Sequence, residues 1–340
     1  MADWNRPFYK LIRRLDGMLD RLGAMLIPRG LWRSNHPLEI KLFRGYGHRS
    51  SVQIIGRVLL YKKPIILGKI SPWQQFRSTF DLFNSREIIG ATVRIHIADY
   101  TFDLVTDKEG YFDLSADWDE TIFPEDQVEL KIRATLIHSP YGKYEGVEAQ
   151  TSCYLHTVSQ QVGLITDIDD TILKTGVTSR FKWRAVYATF FEDLTERKSI
   201  PYSAEFVNKL SQQGPVFYVS NSPWNIYPFL HAFLEKNGFH DGPILLRDLG
   251  IPQNIADRRP HKIRTISKIL NLYPTMPFIL LGDSGEKDAY YFREIDKLFP
   301  GRIQQILIRK VPGSTVRNPD AGIIYFDSYK EMNSWWEKRN

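Results

Sequence analysis

The sequence predicts a small all-β sandwich domain followed by an α/β domain with a parallel, doubly wound sheet. Three observations lead there. Between residues 46 and 154 apolar and polar residues alternate with period two, the pattern of half-buried antiparallel strands. From residue 159 onward, strand-like apolar runs alternate with helical stretches, as crossover helices on a parallel sheet require. One run, Val162–Thr166, ends in Asp167, Asp169, Asp170 and Thr171. Acids at the C-terminal end of a buried strand lose solvation, so a cation or a chemical use is expected there. Open α/β sheets bind ligands outside those strand ends.

These boundaries divide the chain into a basic segment over 1–44, a β-sandwich over 45–158 and the α/β domain over 159–340. The first fifty residues hold ten Lys/Arg and four acids, so the whole net charge of +6 resides there. Within them, Phe8, Leu11, Ile12, Leu15, Met18, Leu19, Leu22, Met25 and Leu26 follow helical spacing, with Arg13, Arg14 and Arg21 elsewhere on the wheel. A basic amphipathic helix of this kind lies in an anionic membrane surface or docks its apolar stripe on the rest of the protein; both readings stand.

In the β region, Val93, Ile95 and Ile97 alternate with Arg94 and His96, and Val128, Leu130 and Ile132 with Glu129, Lys131 and Arg133. Asp107-Lys108-Glu109-Gly110 predicts a hairpin turn with glycine at positive φ. Nothing in this region looks catalytic. In the α/β region the expected strands are Val162–Thr166, Val216–Val219, Ile244–Leu246, Phe278–Leu281 and Ile303–Ile308, with Ile323–Phe326 at an edge. The expected helices are Ser203–Gln213 and Asn225–Asn237, stopped by Gly214 and Gly238, then Lys262–Leu272, Asp288–Leu298 and Ser328–Lys338.

The candidate site residues fall at the ends of these elements. Asp167 and Asp169, two apart in extended backbone, share one side. One can attack while the other serves as acid and base. Ser220 follows the second run, where a hydroxyl either donates to a phosphate oxygen or caps a helix. Lys262 opens a helix, where its ammonium either meets a transferring phosphoryl group or lies at the surface. Gly282-Asp283-Ser284-Gly285-Glu286-Lys287-Asp288 follows the fourth run; its carboxylates suit magnesium, which takes one or two of them with water and substrate phosphate. Each group alone has an ordinary structural reading, but the four in this order make a joint pattern.

The segments LITDIDDTILKTGV, FYVSNSPWNIYPFL and ILLGDSGEKD resemble the phosphatidate phosphatases of the actin patch protein type, whose catalytic domain is Rossmann-like and haloacid-dehalogenase-like. RGYGHRSSVQIIGRV and TDKEGYF resemble that family's segments ahead of the catalytic domain. The resemblance runs from about Arg44 to Arg309 and leaves the first 40 residues uncovered. It implies that Asp167 is the nucleophile, forming an aspartyl-phosphate and ligating Mg²⁺. Asp169 would protonate the leaving alkoxide and then activate water, with its backbone carbonyl on the metal. Thr171 would orient Asp169, and Ser220 the phosphoryl oxygens. Lys262 would neutralise charge shared by phosphate and Asp167. Asp283 would be the second metal carboxylate, with Asp288 a ligand or beside one. Asp170 is assigned no chemistry.

The expected function is thus Mg²⁺-dependent hydrolysis of phosphatidate to diacylglycerol and phosphate. A phosphatase for a soluble or protein-bound phosphomonoester is the alternative enzyme, and a membrane or protein adaptor with an inactive phosphatase fold the alternative of another class. The insert between Thr171 and Val216 is too short for a large cap. Its Phe181, Trp183, Tyr187, Phe190 and Phe191 stand among Arg180, Lys182 and Arg184, suiting an interface or a helix packed over the sheet. No nucleic-acid partner is expected, since the charge is local and no recognition motif is present. The eight histidines include no H-x-x-x-H pair, so no zinc motif is visible; His261 is expected in a solvated loop. A single cysteine, Cys153, and no apolar leader predict a cytoplasmic protein, peripheral at membranes if the basic helix lies on lipid.

Overall fold

The computed structural model describes residues 37–61, 87–118, 123–124, 127–156, 161–174, 199–247, 259–312 and 322–339. The amphipathic stretch 8–27 and the aromatic part of the insert lie outside the described residues.

The all-β region contains β1 (Leu38–Leu42), β2 (Gly45–His48), β3 (Ser51–Leu60), β4 (Thr92–Ile97), β5 (Tyr100–Val105), β6 (Tyr111–Asp117), β7 (Glu129–His138) and β8 (Glu148–His156). They pair in the order β1-β3-β2-β8-β7-β4-β5, with β6 on the other side of β3. The alternation has the expected effect: Val93, Ile95 and Ile97 of β4 and Leu130, Ile132 and Ala134 of β7 are buried in one core, while Glu129, Lys131 and Arg133 face water. Val128 departs from the expected pattern, being exposed just ahead of β7. The Asp107–Gly110 turn forms, with Gly110 at φ +74° and the Asp107 carboxylate accepting from the Glu109 and Tyr111 amides. It is not a hairpin between ladder partners. β5 pairs with β4 and β6 with β3, so the turn carries the chain across from one part of the sheet to another. β1 pairs antiparallel with β3, which corrects the expected boundary: the β region starts by Leu38, inside the segment assigned to 1–44.

The second region follows as β9 (Gly163–Thr166), α1 (Ser203–Ser211), β10 (Val216–Pro223), a 3-10 turn (Trp224–Ile226), α2 (Tyr227–Lys236) and β11 (Ile244–Arg247). Then come α3 (His261–Leu272), β12 (Phe278–Asp283), α4 (Asp288–Leu298), β13 (Ile303–Arg309), β14 (Ile323–Phe326) and α5 (Tyr329–Glu337). The sheet order is β11-β10-β9-β12-β13-β14, and every neighbouring pair is parallel. β9 and β12 are buried throughout, as central parallel strands covered on both faces must be. The order reverses between them. The chain leaves β9 toward β10 and β11, then returns to β12 on the other side, opening a crevice at the carboxyl ends of β9 and β12. Asp167 follows β9 and Asp283 ends β12.

Gly238 ends α2 at φ +69°, as expected of a helix stop. Gly214 is needed for a different reason: a Cβ there would stand 2.3 Å from the Val162 carbonyl oxygen, where the approach to β9 is too close for any side chain. The two regions share buried contacts. Phe43 packs on Trp224 with ring centroids 4.2 Å apart, Tyr46 meets Phe217 edge-on, and the Tyr273 hydroxyl donates to the Gly47 carbonyl at 2.9 Å. Arg44 lies over the Tyr154 ring and pairs with Asp241 and Glu129. The β region is therefore braced against β10 and the turn after it, beside the crevice.

Candidate active site

Asp167 lies just past β9, 2% exposed. Its Oδ1 pairs with Lys262 Nζ at 2.8 Å and its Oδ2 accepts from Thr171 Oγ1 at 3.0 Å. Its own amide donates to the Leu281 carbonyl of β12 at 2.8 Å, which ties the two strand ends together. The chain then turns sharply. Asp170 adopts φ +51°, a left-handed conformation that Asp tolerates better than most residues. Its carbonyl accepts from Arg309 Nη1 at 2.7 Å. Asp170 thus shapes the loop on which Asp167 and Asp169 sit.

Asp169 is held from the neighbouring strand. Ser220 and Ser222 are two apart on β10 and so share a face. Both hydroxyls donate to Asp169 Oδ2, at 2.8 and 2.9 Å. The Ser222 amide in turn donates to Ser220 Oγ at 2.9 Å. Two expected partnerships are therefore corrected: Thr171 holds Asp167 rather than Asp169, and Ser220 donates to Asp169 in this structure.

Lys262 is the second residue of α3 and 1% exposed. A cation in the first turn of a helix opposes the helix dipole. Carboxylates offset that: Lys262 Nζ meets Asp288 Oδ1 at 2.5 Å, Asp167 Oδ1 at 2.8 Å and Glu286 Oε2 at 3.2 Å. Asp288 opens α4, where the dipole favours an acid. Asp283 Oδ1 accepts from the Gly285 and Glu286 amides, at 2.5 and 3.0 Å. His261 is not in a solvated loop. It opens α3, and burial, with Arg264 and Arg247 nearby, lowers its pKa to about 3, so the ring is neutral.

The sequence reading missed Ser222, Glu286 and Asn221, whose amide donates to Glu286 Oε2 at 2.9 Å. All three lie inside the quoted motif segments. The signal for Ser222 was its i+2 relation to Ser220 on a strand, the same relation that singled out Asp167 and Asp169.

The donor set fits a divalent cation. Asp167, Asp283 and Asp288 each offer an oxygen, all within 4.8 Å of one another and all buried. Asp283 Oδ2 is buried with no hydrogen-bond partner. One ammonium cannot balance three buried carboxylates and Glu286. Burial, with the neighbouring acids and against Lys262, holds Asp167 and Asp288 above the usual carboxylate range and pushes Asp283 up to about 8. Burial likewise raises Asp169, with its two serine hydroxyls pulling the other way. Lys262 is drawn down by burial but driven well above its ordinary value by Asp167, Asp288 and Glu286.

A pH dependence follows with a definite sign. A carboxyl whose folded pKa exceeds its unfolded value stabilises the fold at low pH and loses that contribution as pH rises through the folded pKa. For Asp283 the window runs from 3.8 to about 8. A bound divalent cation relieves the repulsion, so its stabilising effect grows across the same window. Thermal unfolding in EDTA and in excess magnesium, at pH 5 and pH 8, is expected to give a larger magnesium-induced rise in Tm at pH 8. An equal or smaller rise at pH 8 would contradict it.

Residues 162–310 match the family model described as the catalytic domain of phosphatidate phosphatase APP1. Phosphatidate phosphatase APP1 of Saccharomyces cerevisiae is 36% identical over 156 residues, 44% of this chain and 26% of the yeast protein. An uncharacterized protein of Schizosaccharomyces pombe is 27% identical over 266 residues, 74% of this chain and 43% of that protein. The chain thus spans less than half the length of these curated relatives. Among solved structures, a haloacid dehalogenase-like hydrolase from Streptococcus pneumoniae is 14% identical, matching 53% of this chain and 100% of its own with a TM-score of 0.36. The APP1 catalytic-domain match takes in every strand from β9 to β13 and all but the α5 and β14 end of the parallel-sheet region. It therefore contains Asp167, Asp169, Thr171, Ser220, Lys262, Asp283 and Asp288 together.

Proposed function

We propose that this protein is a Mg²⁺-dependent phosphatidate phosphatase, hydrolysing phosphatidate to diacylglycerol and phosphate through an aspartyl-phosphate. The observation that carries the reading is the convergence of Asp167, Asp283, Asp288 and Lys262 at the strand-order reversal. Phosphomonoesters hydrolyse extremely slowly unaided, and positioning with charge neutralisation supplies most of the acceleration.

In the first step an Asp167 carboxylate oxygen attacks phosphorus and the bond to the diacylglycerol oxygen breaks. The electron pair leaves on that oxygen, which takes a proton from Asp169. Burial favours the protonated form of Asp169, as a general acid requires. In the second step Asp169 takes a proton from water, the water oxygen attacks phosphorus, and the Asp167 carboxylate departs. Lys262, fixed by three carboxylates, holds positive charge beside Asp167 Oδ1, first as that carboxylate attacks and then as it departs. Thr171 fixes the other oxygen of Asp167. Asp167, Asp283 and Asp288 are the residues that would hold Mg²⁺, which would supply further positive charge for the phosphoryl oxygens.

The lipid substrate is supported by the similarity of residues 162–310 to the catalytic domain of phosphatidate phosphatase APP1 and by the 36% identity to the yeast enzyme. The basic character of the first fifty residues suits work at an anionic membrane surface by a cytoplasmic protein. The test is phosphate release from phosphatidate in mixed micelles, with Mg²⁺ and with EDTA, beside a panel of soluble phosphomonoesters. Release from phosphatidate only with Mg²⁺ is the expected result. Turnover of soluble esters but not of phosphatidate would remove the lipid substrate and leave the alternative phosphatase. No turnover of either would leave the adaptor.

A further inference from the structure

We infer that Ser222 is a positioning residue for the proposed reaction: with Ser220 it fixes which oxygen of Asp169 delivers the proton to the leaving group. The inference rests on the phosphatase reading above and assigns a role to a residue outside the candidate set read from the sequence.

Both serine hydroxyls converge on one oxygen, Asp169 Oδ2, at 2.8 and 2.9 Å. A hydroxyl that donates there leaves that oxygen as acceptor only, so the acidic proton must sit on Oδ1. The arrangement is rigid. Ser220 is fully buried and Ser222 6% exposed, and the Ser222 amide locks Ser220 Oγ. The chain continues into Pro223 and Trp224, and Trp224 is clamped by Phe43 and Tyr227, with ring centroids 4.2 and 5.9 Å away. The ladder between β10 and β11 shifts register between Val219 and Pro223, and the two serines sit in that irregular stretch. A strand distorted so that two alternate hydroxyls reach one carboxylate oxygen re-aims side chains beside a site, a recurrent use of such irregularities.

In the step concerned, the Asp167 oxygen–phosphorus bond forms and the phosphorus–leaving-oxygen bond breaks. The leaving oxygen keeps the electron pair and receives the Asp169 Oδ1 proton. Removing the Ser222 hydroxyl frees the Asp169 carboxyl to rotate and loses proton delivery, while Asp167 and Lys262 remain in place. The loss therefore falls on leaving groups that need a proton. An alkoxide needs one, whereas a thiolate, with a thiol pKa near about 8.5, departs without it.

The test compares phosphatidate with its analogue bearing sulfur at the bridging position, in the same mixed micelles with Mg²⁺, for wild type, Ser222→Ala and Ser222→Thr. The quantity read is the ratio of the two kcat/KM values, which reports steps up to leaving-group departure. Taken within one preparation, the ratio is independent of the folded fraction. For Ser222→Ala we expect kcat/KM on phosphatidate to fall about 10- to 100-fold, part of what a general acid contributes. On the sulfur analogue the expected fall is under about threefold, and Ser222→Thr, which keeps the hydroxyl, is expected to restore the wild-type ratio. An Ala variant whose ratio equals the wild-type ratio overturns the inference, whether both rates fall or neither does. A wild type that hydrolyses neither lipid overturns the phosphatidate phosphatase reading on which the inference rests, a result distinct from the first.

Discussion

Asp167→Asn is expected to lower phosphate release at least about 10³-fold, the scale on which single nucleophiles are lost from catalytic sets that act as a unit. The substitution keeps the shape of the side chain and removes its charge. The fold should survive. Lys262 retains Asp288 and Glu286, and the Thr171 hydroxyl can turn to accept from the new amide. Because burial and the neighbouring acids already disfavour the Asp167 charge, the variant in EDTA should unfold at a Tm no lower than wild type. Steady-state assay and thermal unfolding of the same preparation check both halves. Activity above about 10% of wild type, well outside that scale, would assign the attack to another group.

Lys262→Met is expected to act on stability and activity together. Lys262 is 1% exposed and is the only cation within ion-pair distance of Asp167 and Asp288 among the described residues. Removing one partner of a buried ion pair typically costs about 3–5 kcal/mol, because the remaining charge stays buried. Here the remainder is three carboxylates, so the loss should be largest in EDTA at high pH and reduced by excess Mg²⁺. Phosphate release with Mg²⁺ should fall by about 10²-fold or more, the scale of losing one preorganised charge. Lys262→Arg should not restore it, since a planar fork replaces a point charge in a fully packed space. The account fails here if the Met variant keeps the wild-type Tm in EDTA and its rate with Mg²⁺.

Much of this architecture was legible in the sequence because its signals are local. A short apolar run ending in acids marks β9, and the run Phe278–Leu281 leading into Asp283 marks β12; both lie where expected. The α4 bounds agree residue for residue, since an acid opens the helix and a periodic apolar stripe fills it. Asp167 and the Asp283–Asp288 pair come together because their strands are neighbours, which strand alternation and the reversal rule imply.

The illegible parts depend on how separated segments align. Tyr218 of β10 stands opposite Thr166 of β9, which brings Ser220 and Ser222 level with Asp169. No local pattern states that register, so Ser220 was assigned to the phosphoryl oxygens and Ser222 was not singled out. Thr171 was paired with the wrong aspartate for a similar reason: the left-handed turn at Asp170 brings its hydroxyl back to Asp167. Gly214 was read as a helix stop, whereas its lack of a side chain serves the close passage past Val162. The Asp107–Gly110 turn was recognised, but its conformation alone does not say which strands its arms pair with.

The central claim is that Asp167 makes a covalent bond to phosphorus during turnover. The most direct test is to quench the protein with acid while it turns over radiolabelled phosphatidate with Mg²⁺, then locate the label by peptide mass spectrometry. Phosphate on Asp167 in wild type and none in Asp167→Asn is the predicted result. An active enzyme carrying its label on another residue would contradict the account.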